Sequence, residues 1–69
     1  MMLKSSDKVS YKKMLRGFLK EEKEGVDTYT SFLRIIDDYD ELRIEKEAIK
    51  KIVVDEMSHI KILQDMLRK

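Results

Sequence analysis

Apolar residues that recur every three or four positions, with a single interruption, constrain this chain more than any other feature. Upstream of the interruption the series is Leu15, Phe18, Leu19, Val26, Tyr29, Phe32, Leu33 and Ile36. Downstream it is Leu42, Ile49, Ile52, Val53, Ile60, Leu63, Met66 and Leu67. Neither series alternates with period two, so both read as helix rather than strand. The break is Asp37-Asp38-Tyr39-Asp40-Glu41, four acids around a tyrosine, with residue types that cap a following helix. The spacing predicts one helix over about residues 8–36, a turn at 37–41 and a second helix over about 41–68. At ~1.5 Å per residue each helix is roughly 40 Å long. A turn this short forces an antiparallel hairpin. The fold class is all-α, with a single domain over residues 1–69 and no internal repeat.

Two helices do not close a core. On a helical wheel the apolar residues of the second helix run from Ile44 and Ile62, through Ile52 and Leu63, to Val53 and Met57. That arc exceeds half the circumference, whereas packing on one neighbour needs a stripe of only ~100°. The predicted solution is two hairpins pairing across a two-fold axis into a four-helix bundle, a homodimer. Composition points the same way. A core in a chain of 69 residues rarely supplies more than about 3–5 kcal/mol, so small folds lean on disulfides, metals or partner chains. There is no cysteine, which removes disulfides, thiolate zinc sites, iron–sulfur clusters and thiol nucleophiles. A metal held by oxygen and nitrogen, oligomerisation, or both remain.

Fifteen Lys and Arg interleave with fourteen Asp and Glu, so no basic face gathers for nucleic acid. The first sixteen residues are richer in base, with Lys4, Lys8, Lys12, Lys13 and Arg16 against Asp7; they read as a frayed or solvated leader, with a weak anion or membrane-surface patch as the alternative. No apolar run reaches the roughly 18 residues of a membrane span, and no signal-peptide core follows the start. The expected setting is cytoplasmic, without nucleic acid or membrane.

Three polar residues break the binary pattern. Glu22 lies inside the stripe of the first helix, among Leu15, Phe18, Leu19, Gly25, Val26 and Tyr29. Glu56 is flanked by Ile49, Ile52, Val53, Ile60 and Leu63, and His59 stands one turn beyond it on the same face. Glu21, Glu24 and Asp55 fall outward. Glu22 is seventeen residues before Tyr39 and Glu56 seventeen after, and residues equally far from a hairpin's turn stand level. Glu22, Glu56 and His59 should therefore converge. An uncompensated buried carboxylate costs several kcal/mol, a large share of a total stability of order 5–15 kcal/mol. No lysine or arginine of either stripe stands at this height, and a divalent cation would balance the charge. Glu56 and His59 as a hydrogen-bonded pair that fixes helix register is the competing reading. Gly25 offers close helix packing or room for a metal beside Glu22, and the five methionines read as gap-fillers.

The segments FLKEEKEGVDTYTSFL and VVDEMSHIKILQDML resemble the two motifs of ferritin-like di-iron carboxylate proteins, especially the rubrerythrin type. In those motifs one helix carries Leu-x-x-x-x-Glu-x-x-small-x-x-x-Tyr and its partner Glu-x-x-His. The resemblance implies Glu22, Glu56 and His59 as metal ligands, with Glu56 bridging and Glu22 terminal. It implies Tyr29 as the catalytic-site tyrosine whose hydroxyl orients a carboxylate. This chain carries half of the usual ligand set, so it looks like a half-ferritin completed by a second copy, as in the encapsulated ferritin-like proteins. The implied cofactor is two iron ions per dimer, with manganese or zinc as alternatives. The implied activity is an oxidoreductase, ferroxidase or peroxide-reducing, acting on dioxygen or peroxide. Rubrerythrins proper also carry a cysteine-bearing rubredoxin domain, and the cysteine-free sequence has none. The alternative from another class is a structural helical-hairpin oligomerisation module without catalytic metal.

Overall fold

Long runs of Lys, Glu, Arg, Leu and Met, unbroken by proline, favour continuous helix, and the computed structural model contains two. It describes residues 5–69, with side-chain surroundings from Lys8 onward. Helix α1 spans Ser5–Ile36 and helix α2 spans Arg43–Arg68, joined through a 3₁₀ turn at Asp40–Leu42. They pack as a hairpin, 54 Å long and about 16 Å across. The predicted boundaries hold within two residues except at the start. There α1 begins at Ser5, so the expected frayed leader is helical as far as it is described. Lys8, Lys13 and Arg16 are solvated as expected and Lys12 is half-buried; Lys4, and the surroundings of Asp7, lie outside the described part.

The connection is held by the backbone rather than by side-chain caps. The Tyr39 N–H donates to the Ile36 carbonyl and the Leu42 N–H to the Tyr39 carbonyl, both at 3.0 Å. No acid of the turn caps α2: its N-cap is Leu42, without a side-chain cap bond. That corrects the sequence expectation, and the 3₁₀ turn is the reason. It places Asp40 and Glu41 inside a helical turn, where they meet the positive end of the helix dipole instead of the free N–H groups. The Lys46 ammonium donates to the Asp37 carbonyl, satisfying a backbone acceptor at the end of α1.

The seam between the helices follows a heptad. Leu15, Leu19, Glu22, Val26, Tyr29, Leu33 and Ile36 of α1 are buried or half-buried, as are Leu42 of the turn and Ile49, Val53, Glu56, Ile60, Leu63 and Leu67 of α2. Only Leu15 and Ile36 are buried among the described residues; the others of the seam are half-buried. A second apolar seam lies one residue earlier on each helix and is exposed. On α1 it comprises Tyr11, Met14, Phe18, Phe32 and Ile35; on α2, Ile52 and Ile62 belong to it, with Ile44 on the same wheel position as Ile62. Right-handed helices running antiparallel turn equal angular offsets to the same side, so both exposed seams share one broad face of the hairpin. Met14 and Met57 are more than half exposed, so within one hairpin they fill no gap. Among the described residues no helix is long and apolar enough to cross a membrane.

Candidate functional site

Glu22 occupies a contact position of α1 and Glu56 a contact position of α2, while Gly25 and His59 sit on the adjoining open face. The hairpin brings the four together at one height. The Glu22 Oε2 atom lies 3.5 Å from His59 Nδ1, with the Glu22 side chain 28% exposed and that of His59 56% exposed. That separation is at the limit of a hydrogen bond, and Glu22 Oε2 is itself buried with no hydrogen-bond partner. An orphaned carboxylate oxygen of this kind is uncommon, because burial strips its water without replacing it.

Glu56 reaches across the seam to the bare backbone of Gly25. A Cβ built on Gly25 would collide with Glu56 Oε2 and stand 3.1 Å from its carboxyl carbon. The glycine thus opens a recess that the Glu56 carboxylate fills. Burial pushes the Glu56 carboxyl above the usual carboxylate range; the negative charge of Glu22 and a shared hydrogen bond with it push the same way, and His59 pulls against them. As two ionised acceptors, the carboxylates have no hydrogen bond to share. One proton between them creates it, and a divalent cation is the other way to relieve the repulsion.

Tyr29 is half-buried, one helical repeat nearer the turn than Glu22. Within the single hairpin its hydroxyl makes no hydrogen bond to a carboxylate among the described residues. Two turns of helix, about 10 Å of rise, separate it from Glu22. Glu21, Glu24 and Asp55 are exposed as expected. The exposed residues Tyr11, Met14 and Ile35 extend the open face and escaped the sequence reading. Their signal was present, each falling one position before a residue of the contact seam.

Oxygen donors with one imidazole suit iron, manganese or zinc. Two features of the site fit such an ion: the orphaned Glu22 oxygen and the recess that holds the Glu56 carboxylate beside it. Among the described residues, no group of three or more acidic or imidazole side chains is arranged to hold an ion by itself. Comparison with protein-family models, with curated proteins and with solved structures finds no match to this chain.

Proposed function

We propose that this chain is a metal-binding protein of the ferritin-like di-iron carboxylate kind, its site completed when two hairpins pair into a four-helix bundle. The observation that carries the reading is the buried, unpartnered Glu22 Oε2 with Glu56 and His59 beside it. Assembly is supported independently, since one face of the hairpin carries Phe18, Phe32, Ile44, Ile52 and Ile62 in contact with water. Apolar area of that kind is stabilising only when covered, at roughly 25 cal/mol per Å², and a second copy covers it while bringing a second Glu22, Glu56 and His59.

In the assembled site Glu22, Glu56 and His59 of each chain would hold two metal ions, iron first and manganese or zinc as alternatives. A bound pair of this kind supplies two-electron redox chemistry toward dioxygen or peroxide. The chain's own residues do the rest. Four carboxylates set the charge of two divalent ions to neutrality, and the imidazole adds a neutral donor on each. Gly25 leaves the space in which Glu56 turns toward Glu22. The aromatic and aliphatic side chains around the cluster, Phe18 and Ile52 among them, exclude water once paired. Tyr29 is half-buried below the site and would serve it only by donating to a carboxylate after assembly.

A second reading rests on the same apolar face: a structural hairpin that oligomerises without metal. Elemental analysis and light scattering on untagged protein separate the two. Two transition-metal ions per dimer support the metal reading, and a metal-free dimer leaves the structural one. Iron(II) added in air to the loaded dimer, followed by ultraviolet absorbance, then separates an oxidoreductase from a metal held only as a staple.

A further inference from the structure

Charges that interleave along the sequence separate by helical phase in the hairpin. The residues one position before each member of the contact seam include no lysine or arginine, and they form the open apolar face. The residues one position after each member hold eight bases against two acids, Asp27 and Asp37. The bases are Arg16, Lys20, Lys23 and Arg34 of α1 and Arg43, Lys50, Lys61 and Arg68 of α2, all exposed. Equal angular offsets fall on one side of an antiparallel pair, so the eight share the flank opposite the apolar face. Lys50 is paired with Glu47 at 3.3 Å and Arg68 with Asp65 at 3.7 Å. The other six make no ion pair with a described residue.

The flank is long and flat. Helix rise sets Arg16 about 27 Å from Arg34, and Arg68 about 38 Å from Arg43, in two rows roughly 8–10 Å apart. Val54 and Met57 also follow seam residues and are 63% and 57% exposed. Counted from Tyr39, they stand nearly level with Lys23 and Lys20 on the facing helix. No aromatic side chain occupies these positions, so the flank has no platform on which a nucleic-acid base could stack. The phosphates of a duplex also wind away from a straight row, whereas a bilayer meets both rows in one plane. An apolar pair among bases gains nothing from a line of phosphates, but it can enter a headgroup layer as the apolar residues of interfacial helices do. No helix among the described residues is long and apolar enough to cross a membrane, and none needs to: clusters of roughly four to eight Lys and Arg are held at anionic lipid by charge.

We infer that this flank docks on the surface of an anionic lipid bilayer, the hairpin lying flat with Val54 and Met57 toward the headgroups. The surface is separate from Glu22, Glu56 and His59 and is complete in a single hairpin. Pairing through the apolar faces would leave one such flank on each outer side of the bundle.

Co-sedimentation of the full-length protein with vesicles tests the assignment. Vesicles of phosphatidylglycerol and phosphatidylcholine in equal parts are expected to take up the protein at low salt, and pure phosphatidylcholine is not. Uptake should fall steeply toward about 1 M salt, where the screening length shrinks to about 3 Å. The triple variant Lys20→Gln, Lys23→Gln, Lys61→Gln keeps good helix formers and should bind about a hundredfold more weakly, at roughly fivefold per base. The double variant Lys51→Gln, Lys69→Gln lies off the flank and should stay within about twofold of the parent. No uptake by the anionic vesicles at low salt overturns the lipid surface, as does a triple variant that keeps its helical circular dichroism and binds like the parent. A double variant as weak as the triple one shows net charge rather than this flank at work. Tighter binding to a DNA duplex than to the vesicles at matched phosphate concentration overturns the lipid in favour of nucleic acid. The dimer is read separately, because a bundle with two basic flanks clusters vesicles and raises turbidity. Uptake without clustering overturns pairing through the apolar faces and leaves the lipid surface standing.

Discussion

Replacing Gly25 with alanine sets two effects against each other at one atom. The added Cβ improves α1 itself, because glycine inside a helix costs about 0.5–1 kcal/mol relative to alanine. The same Cβ occupies the recess in which the Glu56 carboxylate lies, colliding with Oε2 and approaching the carboxyl carbon to 3.1 Å. The colliding group is the far end of a flexible side chain, so in the metal-free protein Glu56 swings aside toward water at little cost. The metal-free variant should therefore gain about 0.5–1 kcal/mol, which in a domain this small raises the melting temperature by roughly 2–8 °C at matched protein concentration. Metal binding should move the other way. The carboxylate can no longer settle beside Glu22, and displaced supporting geometry typically costs about 10–100-fold in metal affinity. Scanning calorimetry of the metal-free protein and competitive titration of iron(II) or zinc(II) read the two halves separately. Metal affinity equal to that of the parent protein would refute the placement of Glu56 as a ligand over Gly25. A metal-free variant destabilised by more than about 1 kcal/mol would show a rigid packing contact there instead.

Glu22→Ala is expected to abolish metal binding and weaken the dimer, whereas Glu24→Ala, on the exposed side of the same helix turn, should change neither; metal content and elution volume decide. The raised Glu56 pKa sets a pH dependence in the metal-free protein. The folded state holds that proton more tightly than the unfolded chain, so the contribution is present below the ordinary carboxylate pKa and is lost as pH rises through the raised value. Melting temperature should accordingly climb on mild acidification, and Glu56→Gln should flatten that part of the profile. Metal affinity has the opposite slope, falling as pH drops and the ligands take up protons; a flat response from neutral to acid removes His59 and Glu56 from the ligand set. Ile62→Lys, at a position 54% exposed in the hairpin, should be almost neutral to a monomer but convert the dimer to monomers by light scattering.

The backbone was largely legible in the sequence. The period of Leu15, Leu19, Val26 and Ile36, against that of Ile49, Val53, Ile60 and Leu67, fixed two helices, and the acidic break fixed the turn. Equal spacing about Tyr39 was enough to place Glu22 level with Glu56 and His59, because both helices rise by the same amount per residue. Finer features were not legible for physical reasons. A single broad apolar face on α1 is in fact two seams one residue apart, and only contact with α2 shows that Leu15 and Leu19 are covered while Met14 and Phe18 are not. The acids of the turn resemble caps, but a 3₁₀ turn pulls them inside the helix start. Tyr29 shares the phase of Glu22 two turns away, and phase and spacing do not reveal which group its hydroxyl meets.

A molecule whose buried side chains are Leu15 and Ile36 among the described residues has little with which to oppose the disorder of its own backbone, about 1–2 kcal/mol for each residue ordered. In the dimer proposed above, folding and association would be coupled, so that stability follows protein concentration by mass action. Abundance would then tune stability: dilution would leave more of the chain as the less protected single hairpin, and each rise in expression would convert a growing fraction into durable assemblies.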